Sequence, residues 1–187
     1  AEALAQAGIA SVAIDLPLHG IHPDSDFAFL RSDAPALAPL GLPGERTFDV
    51  DYIDANGLPN SDNVTDSSGA HYINLTNLVV SRDNLRQAVS DLLTLNAAID
   101  GMVAANPANP AGGPTAAFDS SKVYFFGHSL GGIVGATFLS QADGISGGSI
   151  AKSGGGIAKL LDASAAFGPR ITSGLAANNV AEGSDNF

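Results

Sequence analysis

Between Lys122 and Phe138 the chain reads Lys-Val-Tyr-Phe-Phe-Gly-His-Ser-Leu-Gly-Gly-Ile-Val-Gly-Ala-Thr-Phe, and no other stretch restricts the possible folds as much. The aromatic and β-branched run Lys122–Phe126 predicts a buried strand, and the small and apolar residues from Gly131 to Gln141 predict a helix. A strand that becomes a helix within so few residues needs a sharp turn with one residue in a strained conformation. Gly127 and Gly131, two positions to either side of Ser129, are expected to remove the Cβ atoms that would collide as strand and helix converge. G-x-S-x-G at such a junction presents the serine hydroxyl at the carboxyl edge of a sheet. It also puts the backbone N–H of Leu130 at a helix N-terminus, where it can donate to an oxyanion.

The N-terminal residues point to the same kind of sheet. Ala1–Ala7 are good helix formers closed by Gly8, and Ile9–Ile14 form a short, almost continuous apolar run. A strand apolar on both faces needs helices on both sides of its sheet, so an α/β architecture with a doubly wound, mostly parallel sheet is expected. Asp15-Leu16-Pro17-Leu18-His19-Gly20 then ends the strand, with His19 and His22 near its carboxyl edge as possible lining of a site. From about 21 to 75 the periodicity fails and Pro recurs, which predicts a loop-rich insertion. Inside it Thr47–Ile53 alternates imperfectly, as a short strand would, ahead of a turn at Gly57–Asn60. The next helix is expected to begin near Ser81, capped by Ser81 or Asp83, with Leu85, Ala88, Val89, Leu92, Leu93, Ile99, Met102 and Val103 along the face packed on the sheet. Pro107, Pro110, Gly112, Gly113 and Pro114 form an irregular connection. Gly147–Lys152 reads as the next strand, and Ser153–Gly156 as a turn ahead of a helix over Ile157–Asp162.

These residues resemble the α/β-hydrolase superfamily, and within it the lipases and esterases. Gly-His-Ser-Leu-Gly-Gly at 127–132 is similar to the lipase form of the nucleophile elbow, and Gly8–Gly20 is similar to the family's fourth strand and following loop. Gly44–Tyr52, Ser81–Ala88 and Ser153–Leu161 resemble large extracellular or surface-associated bacterial lipases and phospholipases. The resemblance implies a serine ester hydrolase in which Ser129 forms an acyl-enzyme with a lipid-like or small ester. It implies no cofactor, and an extracellular or cell-surface location. It also implies that 1–187 is a single partial α/β-hydrolase domain, the central portion of a larger one. In the family another strand lies between those matched by Ile9–Ile14 and Lys122–Phe126, and an acid and a His follow the nucleophile. All four histidines here, His19, His22, His71 and His128, precede Ser129. The base and other missing parts are therefore expected from elsewhere in the same parent protein.

Other chemistries fit less well. Eight basic against nineteen acidic side chains give a formal charge of −11, with no basic stripe for nucleic acid. No Cys is present, which removes disulfides and thiolate metal sites. Asp54-Ala55-Asn56-Gly57 partly resembles a calcium loop, but Tyr52 stands where an acid or amide is required and no Glu follows, so no metal is expected. His128 is expected to pack beside the nucleophile without accepting its proton, and His71 to be an exposed loop residue. A non-catalytic binding or structural fragment, or a degenerate hydrolase, is the competing assignment; acyl transfer to an acceptor other than water is a third.

Overall fold

Helical propensity and a glycine stop shape the first element: α1 spans Glu2–Gln6, and Gly8, at φ +73, lets the Ile9 N–H turn back to the Leu4 carbonyl at 2.9 Å. In this computed structural model, residues 2–40, 43–74, 77–105, 114–177, 179–180 and 183 are described. The chain forms two compact units, Ala1–Ala13 with Leu85–Phe187, and Ile14–Asn84.

The first unit holds the regular structure. After the later part of α2 (Leu78–Ala98) come β1 (Val103–Ala105), β2 (Pro114–Ala117), β3 (Val123–His128), α3 (Leu130–Leu139), β4 (Ile145–Ala151), α4 (Ile157–Asp162) and α5 (Gly168–Ala177). β3 and β4 are parallel, with Tyr124 opposite Gly147 and His128 opposite Ala151. The right order of strand, helix and parallel strand is the arrangement that lets α3 lie against the pair. Phe125 meets Phe138 with ring centroids 5.0 Å apart, and Val134 and Phe138 are buried. Gly135 is small because Phe125 lies against it, and Gly148 because Leu139 does. β1 and β2 form a separate antiparallel pair. Pro107, Pro110, Gly112 and Gly113 lie outside the described residues, and Pro114 opens β2.

Several expectations are corrected. Ile9–Ile14 is not a buried strand: it is without regular structure, with Ile9 and Val12 exposed, and among the described residues nothing pairs with it. An apolar run becomes a strand only where a neighbour completes its ladder. β3 is covered on one face alone, where Val123 and Phe125 are half-buried and Gly127 buried, since Tyr124 and Phe126 stand 70% and 71% exposed opposite the face that α3 covers. α2 begins at Leu78, earlier than expected, because Asn74 Oδ1 accepts the Asn77 N–H at 2.8 Å and Ser81 Oγ, already inside the helix, exchanges hydrogen bonds with Asn74. Ala88 and Val89 are buried on its expected apolar side. The helix stops at Ala98, so Met102 and Val103 fall beyond it.

The second unit has almost no regular structure before α2 begins: two 3₁₀ turns, Ala28–Leu30 and Ala38–Leu40, and one antiparallel bridge between Ile53 and Pro59. Residues 46–49 form a turn, so Thr47–Ile53 is not a strand, with Phe48 and Asp49 at φ +54 and +46. Its cause is the buried Arg31 guanidinium, which donates to both carboxylate oxygens of Asp33 and to Asp49, and to the Ile21 carbonyl at 2.6 Å. His71 is not an exposed loop residue. Its Nε2 donates to the buried Asp66 carboxylate at 2.7 Å, and its ring meets Tyr52 edge-on at 5.2 Å. Burial pushes the Asp66 carboxyl up, but the Tyr52 N–H and the His71 ring outweigh it, leaving the group below the usual aspartate range.

A carboxyl held below its ordinary value stabilises the fold above that value and loses its contribution as pH falls toward the folded value. Asp66→Asn is therefore expected to cost about 1–3 kcal/mol near neutral pH, the range for a disrupted buried hydrogen-bond partner. The gap from the parent should shrink below pH ~3.9. Urea unfolding followed by tyrosine fluorescence, with Tyr52 and Tyr72 both in this unit, measures the gap. A gap unchanged at pH 3 would contradict this account.

Candidate active site

β3 runs to His128 and α3 starts at Leu130, so the whole change of direction falls on Ser129. Its φ of 52° and ψ of −118° lie where side chains rarely go, a conformation that costs about 1–3 kcal/mol and persists only when its surroundings enforce it. Three hydrogen bonds do so. The Ser129 N–H donates to the Ala151 carbonyl at 2.9 Å, and the Ser129 carbonyl accepts from the N–H groups of Gly132 and Ile133 at 2.9 and 3.0 Å. Ala151 is the last residue of β4, so the parallel pair itself pins the turn.

Glycines permit the close approach, though not the pair the spacing suggested. A Cβ on Gly127 would lie 2.5 Å from the Gly131 carbonyl oxygen, whereas one on Gly131 would meet nothing within 4 Å. The second crowded position is Gly132, where a Cβ would lie 2.8 Å from the Ser153 Cβ. Gly131 takes part through its backbone, not through its missing side chain. The doubled glycine at 131–132 is the only sequence signal that pointed to Gly132, and nothing in the spacing singled out Ala151.

The Ser129 side chain is exposed. Among the described residues no side chain hydrogen-bonds its Oγ. Leu130 and Gly131 open α3, so their N–H groups lack a helical carbonyl partner and form a donor pair beside the serine, with the helix dipole behind them. His128 does not pack as expected: strand alternation sends it to the uncovered face with Tyr124 and Phe126, and it is exposed.

His19 and His22 belong to the other unit and are engaged there. His19 Nδ1 donates to the Pro17 carbonyl at 2.9 Å, and its ring meets the buried Tyr72 edge-on at 5.0 Å. His22 Nε2 donates to the Thr65 carbonyl at 2.8 Å while Nδ1 accepts the Asp24 N–H at 3.1 Å. Both ring nitrogens of His22 are thus engaged by backbone groups. Asp54 Oδ1 accepts the N–H groups of Asn56 and Leu58, so the would-be calcium loop is a carboxylate-capped turn. No cluster of three or more metal-ligating side chains occurs among the described residues.

Two substitutions test the glycine assignment. Gly127→Ala is expected to destabilise by about 1–3 kcal/mol through overpacking, whereas Gly131→Ala should be neutral or stabilising by up to about 1 kcal/mol, as for Gly→Ala within a helix. Thermal unfolding by circular dichroism distinguishes them, and equal midpoints would contradict the geometry.

No family model, curated protein or solved structure matches the chain, so a functional assignment rests on the geometry of this elbow.

Proposed function

We propose that the protein is a serine ester hydrolase acting through Ser129 on a lipid-like or small ester. What supports this is one observation: a non-glycine residue with φ +52 at a strand–helix junction, its hydroxyl exposed and the unpaired N–H of Leu130 next in the chain. Strain of that kind is retained where it positions a reacting group. Ser129 Oγ bonds to the ester carbonyl carbon, and its proton passes through a base to the departing alkoxide. The resulting oxyanion lies within reach of the Leu130 N–H, and water then releases the acid by the reverse sequence of proton transfers.

The base is an imidazole from elsewhere in the same protein, since among the described residues no histidine hydrogen-bonds Ser129 Oγ. Such an enzyme works outside the cell or on the bacterial surface. No described helix is long and apolar enough to cross a membrane. The lack of any described side chain on Ser129 Oγ favours a second assignment, a non-catalytic binding piece or degenerate hydrolase. An acyltransferase differs only in the acceptor.

In the full-length protein, Ser129→Ala should lower ester turnover by several orders of magnitude with little effect on folding. A fluorophosphonate should modify the peptide containing Gly127–Gly132. Near-parental turnover by the variant, or labelling only elsewhere, would favour the non-catalytic assignment, while transfer of label from acyl donor to an added alcohol in preference to water would favour the transferase.

A further inference from the structure

Three non-glycine residues of the first unit have a left-handed φ among those described: Ser129 at +52, Lys152 at +52 and Asn179 at +61. Two of them meet at one place. Lys152 directly follows Ala151, whose carbonyl holds the Ser129 N–H at 2.9 Å, so the two strained residues stand at the carboxyl ends of adjacent parallel strands. A lysine in this conformation is disfavoured by roughly 1–2 kcal/mol, a cost that glycine would not incur. Glycine follows at 154, 155 and 156, yet position 152 carries a lysine.

Charge is distributed along the strands in the same sense. Asp100, Asp143 and Gly144 line a groove with Val123 at the amino end of β3, and Asp119, beside Lys122, precedes that strand. The segments leaving the carboxyl ends, Ser129–Gly131 and Lys152–Gly156, contain no acid. Lys152 is exposed and, like Lys159 and Arg170 further along the chain but unlike Arg31, Arg82 and Lys122, has no carboxylate partner among the described residues. In a chain of net charge −11, a lysine without a carboxylate partner thus follows β4 at the same sheet edge where Ser129 and the open N–H groups of α3 follow β3.

We propose that Lys152 determines specificity by pairing with an anionic group on the substrate, a carboxylate or phosphate within a few bonds of the scissile carbonyl. This rests on the ester-hydrolase assignment and narrows its substrate class to anionic esters.

The test uses the full-length protein and two chromogenic esters of equal acyl length, 4-nitrophenyl butyrate and 4-nitrophenyl hemisuccinate, with dibutyryl phosphatidylglycerol as the phosphate-bearing arm. Lys152→Met should lower kcat/KM about tenfold for the anionic ester it recognises, chiefly through KM, while changing the neutral ester by no more than about twofold. Lys152→Arg should restore the preference, and raised salt should erode it in the parent and in Lys152→Arg while leaving Lys152→Met unchanged. A loss confined to the hemisuccinate assigns a carboxylate, and one confined to the phospholipid assigns a phosphate. Lys152→Gly, which relieves the backbone, should remove the preference without loss of thermal stability, separating recognition from folding. Ser129-dependent turnover with the same preference in parent and Lys152→Met would overturn the proposal while leaving the hydrolase intact. Absence of Ser129-dependent turnover of every ester would overturn both.

Discussion

The hydrogen bond from Ser129 N–H to the Ala151 carbonyl is the contact on which the candidate site depends. β4 can reach that N–H only if it runs parallel to β3 in the observed register, with His128 opposite Ala151. The register places Gly148 under Leu139 and Phe125 against Gly135, so small residues at those two positions follow from it. Once α3 lies so close, its first turn crowds the end of β3 at Gly127 and meets Ser153 beyond β4 at Gly132, which excludes a side chain at either glycine. A single pinned peptide therefore links strand register, helix packing and the left-handed conformation that exposes the hydroxyl.

The other unit solves a different problem. Between Ile14 and Asn84 few ladders or helical turns are available, so backbone N–H groups need other acceptors. Carboxylates supply them. Glu45 accepts from Ile21 and Ser32, Asp51 from Asp62 and Asn63, Asp62 from Ala55 and Val64, and Asp66 from Tyr52. The Ser61 hydroxyl and those two N–H groups hold the Asp51 carboxyl below its usual range against its own desolvation. Arg31 does the same for the exposed Asp33 carboxyl, while its hydrogen bonds to Asp33 and Asp49 raise its own guanidinium pKa against the effect of burial. Much of the acidity of this segment is thus consumed internally as loop architecture.

How much of this was legible in the sequence varies with how local its cause is. β3, the elbow and α3 were readable because aromatic strand, glycine-flanked turn and small-residue helix are contiguous. The Gly8 stop and the turn before α4 were readable for the same reason. Ile9–Ile14 misled because apolar composition records a tendency to pair, while pairing requires a partner that composition does not contain. Thr47–Ile53 misled because its alternation is overridden from a distance by Arg31, eighteen positions before Asp49. The site shows the same division. Ser129 and Leu130 follow from spacing, but Gly132, Ala151 and the Asp66–His71 pair depend on which segments meet.

Nucleophilic catalysis by the proposed route would separate into two physical tasks with different structural sources. Positioning is a property of β3, α3 and β4 alone: their packing sets the serine's conformation and leaves the neighbouring N–H groups open. Proton acceptance needs an imidazole with a free lone pair at the hydroxyl, and among the described residues no side chain hydrogen-bonds Ser129 Oγ. Removing a base from a serine catalytic unit leaves the rate enhancement due to oxyanion stabilisation and binding, because those do not depend on proton transfer. An elbow that assembles without its base therefore retains the costly part of the machinery, the strained turn, since strain is enforced by neighbouring backbone while a base needs only to approach.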